Sequence, residues 1–228
     1  MQILCVDPGI VSVGLFGAAV DAAWSVVEVT TCTNVDLTAT KGPLHAQICA
    51  FLDAWSGPLG LADLLILERQ PFQSAGFPLE LLLRDRFLPK CVFVSPNTLH
   101  KHFGSAGYTY DGRKDRAVRL VTSTLQVWEA AGVRGCALAL AHLSTFERKH
   151  DCCDAGLLLL YYLNKRREPA APPSLPVPPV PTYNLGFSTF LQQYMYKASP
   201  LRSKYFTGGT GQFPSGTHSP SPSDETHL

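Results

Sequence analysis

The sequence predicts an α/β fold whose sheet begins as an antiparallel meander and continues in parallel strands. Two observations carry that expectation. Three β-rich stretches joined by short turns open the chain, and beyond them short apolar strands alternate with stretches of helical periodicity. A third observation sets the limit of the folded part. After Arg167 the composition shifts to a run of prolines and then to a Ser/Pro/Thr-rich end. The expected organisation is one domain over 1–167 and a largely disordered extension over 168–228.

The first strand is Ile3–Val6, an apolar run that ends abruptly on Asp7. Pro8 and Gly9 turn the chain, and Val11–Ala18 resumes as a second strand. A carboxylate closing an apolar strand is costly to desolvate unless a cation or donor meets it. Asp-Pro-Gly is also strong turn chemistry, so on this stretch alone Asp7 reads first as a turn cap, and only the rest of the chain reverses that reading. Ala22–Thr30 is expected as the third strand. Pro43–Trp55 carries Ile48, Leu52 and Trp55 at helical spacing, and Gly57, Pro58 and Gly60 stop it. Leu64–Glu68 is continuously apolar, as a buried parallel strand would be, and again ends on an acid. Leu79–Leu88 is expected to be helical, Cys91–Ser95 to be a strand, and Pro96 to open a helix.

Gly104–Gly112 reads as a loop leading into a helix over Lys114–Ala131. Its apolar stripe is Ala117, Leu120, Val121, Leu125 and Trp128. Arg113 and Lys114 stand at the start of that helix, where the dipole disfavours cations. The last helix has Leu157–Tyr162 as its core and is hydrophobic nearly all round. Asp151 and Asp154 lie three apart at its start, on one face. One such acid is ordinary capping; two of them, beside two strand-terminal acids, are not.

Composition narrows the classes. The chain has 228 residues, 46% of them hydrophobic, and a formal net charge of +1, which speaks against a globally basic nucleic-acid coat. Seven cysteines form no C-x-x-C pair, which fits an intracellular, reducing compartment without a disulfide framework. No signal peptide is visible, and no apolar run is long enough to span a membrane.

Four carboxylates gathered at reduced dielectric repel one another unless divalent cations neutralise them. Oxygen-only ligands suit Mg²⁺ or Mn²⁺ rather than zinc. Two such ions about 4 Å apart can activate water and stabilise the leaving oxygen of a phosphodiester. Asp7, Glu68, Asp151 and Asp154 are therefore the expected metal ligands, two Mg²⁺ the expected cofactor, and a nuclease the expected chemistry. Arg69, Gln70, Arg113, Arg116, Lys149 and His150 are expected DNA contacts; for the cations among them a plain surface charge is an equal reading.

The order of these motifs resembles the RuvC-type Holliday junction resolvases of the RNase H-like superfamily, closest to the poxvirus and fungal-mitochondrial branch. The stretches that carry the resemblance are Asp7-Pro8-Gly9 with Gly14, Leu67-Glu68-Arg69-Gln70-Pro71 and Val94-Ser95-Pro96. Arg113-Lys114-Asp115-Arg116-Ala117-Val118 and Lys149-His150-Asp151-Cys152-Cys153-Asp154-Ala155 complete it, within residues 1 to about 165. The resemblance implies a mixed five-stranded RNase H-like sheet flanked by helices, a homodimer, and paired symmetric nicking of four-way DNA junctions. It also implies that Lys114 is the basic catalytic residue, that the products carry 5′-phosphates, and that the setting is viral. The Pro-rich extension departs from the family pattern. Two alternatives stand beside it: an RNase H-like nuclease acting on RNA–DNA hybrids or flaps, and a non-catalytic nucleic-acid-binding scaffold.

Overall fold

The computed structural model describes residues 1–167; the expected extension, 168–228, lies outside the described residues. Five strands form one sheet: β1 (Gln2–Asp7), β2 (Ser12–Val20), β3 (Val26–Asp36), β4 (Leu64–Glu68) and β5 (Cys91–Val94). Their order is β3-β2-β1-β4-β5. β1 pairs antiparallel with β2 and β2 with β3, while β1–β4 and β4–β5 are parallel. The meander followed by parallel strands is thus as expected.

Period-two alternation divides the sheet's side chains between two cores. On one face Leu4, Val6, Leu15, Leu65 and Leu67 pack with Ile48, Phe51, Leu59, Leu79 and Leu83. Those last five come from α1 (Leu44–Ala54), α2 (Ser56–Leu61) and α3 (Phe77–Phe87). On the other face Ile3, Cys5, Phe16 and Ile66 pack with Leu99, Val121, Leu125, Ala139 and the body of the last helix. That layer holds α4 (Pro96–His102), α5 (Tyr110–Ala130), α6 (Cys136–Thr145) and α7 (Lys149–Arg167). α7 is covered by the sheet on one side and by α5 and α6 on the other, which is why its sequence is apolar nearly all round.

Several elements differ from the sequence reading; β3, for one, runs on to Asp36 rather than ending at Thr30. β3 begins at Val26 rather than Ala22, because residues 21–25 form a tight turn in which Asp21 accepts from the Ala23 and Ser25 amides. Trp24 there adopts a left-handed φ of 62°. The Gly57-Pro58-Leu59-Gly60 stretch is helical, held by Leu59 buried beneath it. α6 had no counterpart in the sequence reading. α5 starts four residues earlier than expected, capped by the Thr109 hydroxyl accepting from the Gly112 amide. Lys114 therefore stands in the second turn, so the expected dipole conflict at that residue is weaker than the sequence implied.

Gly14 fixes how α7 meets the sheet. It lies on the α7 face of β2, directly opposite Asp7. A Cβ built on it would stand 2.0 Å from the Asp151 carbonyl oxygen and 2.9 Å from the Cys152 nitrogen. Only glycine admits that backbone. Gly14→Ala is expected to lower stability by about 3 kcal/mol, since the obstacle is main chain and cannot rotate away. Gly57→Ala meets nothing within 4 Å and is expected to raise it by about 0.5 kcal/mol. Urea unfolding of the two variants checks the opposite signs.

Candidate active site

Alternation places both strand-terminal acids on the same side. Asp7 follows Ile3 and Cys5, and Glu68 follows Ile66, so both carboxylates face α7. The parallel pairing of Val6 with Leu67 sets them side by side at the ends of β1 and β4. α7 brings Asp151 and Asp154 from above, one turn apart, and α5 brings Lys114. The structure thus gathers Asp7, Glu68, Lys114, Asp151 and Asp154 within mutual electrostatic reach.

Each acid has a different partner. Asp7 and Glu68 hydrogen-bond each other, and burial first, then the Glu68 charge, pushes the Asp7 carboxyl well above the ordinary carboxylate range. Glu68 is also raised, by burial foremost, although the Asp7 hydrogen bond and the Gln70 amide draw it down. This pair can hold a proton between its oxygens. Asp154 is raised to about 7, by burial and then by Asp7. It forms an ion pair with the Lys114 ammonium. Burial alone would lower Lys114; the Asp154 and Asp7 charges outweigh it and hold the ammonium charged.

Asp151 is 5% exposed and doubly held. Arg148 Nε donates to its Oδ2 at 3.0 Å, and His150 Nε2 lies 3.1 Å from its Oδ1. Burial lowers the His150 pKa, so this second contact is the hydrogen bond of a neutral imidazole at pH 7. Asn34, on the neighbouring β3, anchors the Arg148 carbonyl at 2.7 Å.

The remaining residues expected at the site are divided. Gln70 Nε2 donates to Glu68 Oε2 at 3.2 Å, so Gln70 serves the acid cluster itself. Arg69 is exposed beside it and stacks over Phe93, 5.7 Å from the ring centroid. Arg113 and Arg116 turn back to their own loop, donating to the Tyr108 and Phe103 carbonyls at 3.0 and 2.8 Å. Lys149 is exposed at the start of α7 and lines a groove along the outer face of α5 with Arg116 and Arg119. Sequence reasoning passed over Arg148 and Tyr110, whose ring lies 5.4 Å from the Lys114 ammonium. Arg148 could have been found, because it stands three residues before Asp151 at the spacing of a helical ion pair.

Among the described residues no three Asp, Glu, His or Cys side chains converge closely enough to chelate an ion as they stand. The donor set nevertheless fits a hard divalent cation. It offers carboxylate oxygens only, and their mutual repulsion, met in part by Lys114, is what a divalent cation would relieve. All seven cysteines are free, and no helix among the described residues is long and apolar enough to cross a membrane.

Solved structures share this architecture. The fowlpox virus resolvase with its substrate Holliday junction DNA superposes with a TM-score of 0.55 at 18% identity, covering 72% of this chain and 98% of that one. The fowlpox virus Holliday junction resolvase in a second structure gives 0.54 at 16% identity, over 72% and 99%. The fold is that of an RNase H-like resolvase. Thermus thermophilus RuvC with its Holliday junction substrate aligns more loosely, with a TM-score of 0.48 at 15% identity over 73% and 97%. No protein-family model matches the chain, and no curated protein sequence does. Within this resolvase fold the five strands, their mixed directions and the two flanking layers are those the sequence resemblance implied.

The raised Asp154 pKa has a measurable consequence in metal-free buffer. The folded chain keeps a proton there that the unfolded chain releases between the ordinary aspartate value of 3.8 and about 7. The folded state binds more protons in that window, so this group's contribution to stability falls as pH rises through it. Asp154→Asn does not titrate. Its stability relative to wild type is expected to improve from pH 4 to pH 7 and to level off above, read by thermal unfolding in chelator. A difference that is flat or declines across that range contradicts the buried carboxylate cluster.

Proposed function

We propose that this chain is a Mg²⁺-dependent DNA endonuclease that resolves four-way junctions by paired symmetric nicks, acting as a homodimer. The observation that carries the reading is the set of four carboxylates with Lys114, assembled at the strand ends of a fold shared with the fowlpox virus resolvase. That neighbour's structure holds a Holliday junction, which supports branched DNA as the substrate here. Two opposed cuts need two such sites, and a dimer supplies the second.

Asp7, Glu68, Asp151 and Asp154 would hold the ions; Mn²⁺ meets the same oxygen preference as Mg²⁺. Bound there, the ions would activate the attacking water and neutralise the departing 3′ oxygen. The chain's own groups do the rest. Lys114 carries a fixed positive charge into the cluster, where it can meet the growing negative charge on the scissile phosphate. Arg148 and His150 hold the Asp151 carboxylate in one orientation, and Gln70 does so for Glu68. Arg69 and Lys149 remain exposed to take DNA phosphates; Arg113 and Arg116 order the loop that precedes α5.

The direct test is cleavage of a labelled four-way junction in Mg²⁺, set beside an RNA–DNA hybrid and a plain duplex. Preferential, paired cutting of the junction is expected; preference for the hybrid, or activity that does not require a dimer, replaces the reading with a hybrid nuclease. Asp7→Asn removes one ligand charge with little change in shape. It is expected to slow cutting by about a thousandfold, several kcal/mol of lost charge stabilisation, while junction affinity is retained. Cutting near the wild-type rate rejects the four-carboxylate assignment.

Lys114→Ala separates catalysis from binding. Loss of a charge that acts in the transition state is expected to lower the single-turnover plateau by about a hundredfold. A residue that only clamped the backbone would weaken affinity, reduce its salt dependence and leave that plateau unchanged. The measurement is single-turnover cleavage against protein concentration for both chains.

A further inference from the structure

Glu80 is a carboxylate with no place in the chemistry above, yet it is 4% exposed in a helix that otherwise buries Leu79, Leu81 and Leu83. Its Oε2 accepts the backbone N–H of Gln70 at 2.5 Å. The position of that amide gives the contact its meaning. The Arg69 N–H still donates to the Val94 carbonyl of β5 at 2.8 Å, continuing the ladder beyond Glu68. Gln70 is the next residue, as the chain turns off the sheet after that last bond. Its amide needs a partner that the sheet no longer offers, and Glu80 supplies it from the opposite layer.

The same residue reaches the acid cluster with its side chain. Gln70 Nε2 donates to Glu68 at 3.2 Å, while its Oε1 accepts from the Ser74 hydroxyl at 3.4 Å. The segment 69–76 then closes over the Asp7-Pro8 turn. A Cβ on Gly76 would stand 2.1 Å from the Pro8 carbonyl and 3.0 Å from Gln70 Oε1. Arg69 and Arg84 flank Phe93, each 5.7 Å from its centroid, and bring positive charge toward Glu80. One strap therefore touches Glu68 and the residue that follows Asp7, and Glu80 ties down its Gln70 backbone.

We propose that Glu80 is a positioning residue: by fixing the Gln70 backbone it holds the strap that orients Glu68 in the cation-binding cluster. The proposal rests on the nuclease reading above. The acceptor is what matters, so Glu80→Gln, which keeps an oxygen there, differs from Glu80→Leu, which keeps comparable bulk and helix propensity but accepts nothing. A residue needed only for packing would rank them the other way.

The test uses the full chain. Wild type, Glu80→Leu, Glu80→Gln and Gln70→Ala are compared in three measurements. These are thermal unfolding, Mn²⁺ titration of the protein alone by calorimetry, and single-turnover junction cleavage across a Mg²⁺ series. Glu80→Leu is expected to weaken Mn²⁺ binding and raise the Mg²⁺ requirement by about tenfold, the usual effect of losing a group that orients a ligand. Junction affinity in chelator stays unchanged. Glu80→Gln is expected within about threefold of wild type, at the edge of what one retained hydrogen bond allows. Gln70→Ala, which leaves Glu80 in place, is expected to share the Glu80→Leu defect, and it decides the matter should Glu80→Leu not fold. Wild-type Mn²⁺ affinity in Glu80→Leu or in Gln70→Ala overturns the proposal, as does equal impairment of Glu80→Gln and Glu80→Leu. A wild-type chain that neither cuts junctions nor binds Mn²⁺ overturns the nuclease reading, and this inference with it.

Discussion

The rest of the structure depends on the contact of the first turn of α7 with Gly14. A side chain at that position would meet the Asp151 carbonyl head-on, so the helix would have to retreat from the sheet. With glycine there, the backbone carrying Asp151 lies against the residue paired with Asp7. That one approach brings the helical acids within electrostatic reach of the strand acids. It also seats Leu157, Leu158, Leu159 and Leu163 in the core that covers the sheet. Packing and chemistry are fixed by the same close approach. A change that loosened one would loosen the other.

Close approach of four carboxylates is electrostatically unfavourable, and the fold answers it group by group. Lys114 is given to Asp154, Arg148 and His150 to Asp151, and Asp7 and Glu68 are left to each other. The raised carboxyls of Asp7, Glu68 and Asp154 are what remains of the conflict after those partners act. A fold that only needed stability would replace these acids with apolar residues, which commonly stabilise at such sites. Their presence is what the proposed cation site would account for, since a bound cation would relieve the repulsion and stabilise the fold.

Much of this was legible in the sequence because it rests on short-range chemistry. An apolar run ending on Asp7 or Glu68 signals a buried strand with an acid at its end, and Asp-x-x-Asp before Leu157–Tyr162 signals two acids on one helical face. The misses have equally specific causes. The strand assigned to Ala22–Thr30 begins at Val26, because Asp21 and the left-handed Trp24 make a turn out of residues with ordinary strand character. The Gly57–Gly60 stretch was read as a breaker, whereas burial of Leu59 outweighs the propensities of two glycines and a proline. Arg113 and Arg116 carried the same positive charge in the sequence as Arg69. The fold adds that each gives one donor to a loop carbonyl, of Tyr108 and Phe103, while Arg116 also lines the groove along α5. Glu80 was invisible for the complementary reason: in sequence it is one acid in an expected helix, and the contact it makes is to an amide ten residues away.

That last case shows how the two layers divide the work at the site. The α5–α7 layer supplies charge: Lys114, Arg148, His150, Asp151 and Asp154 all arrive from it or from the turn leading into it. The α1–α3 layer supplies constraint, since Glu80 reaches past the sheet's end to the Gln70 amide. A strand end is the only place where both can act, because there the sheet no longer separates the layers and its last amides need partners. The loop after β1 and the strap after β4 meet at that end, where Gly76 abuts the Pro8 carbonyl. Glu68 is thus held twice, by its strand from behind and by the Gln70 side chain of the strap. The close approach of Gly76 to the Pro8 carbonyl adds a backbone restraint at that end which charge neutralisation alone would not supply.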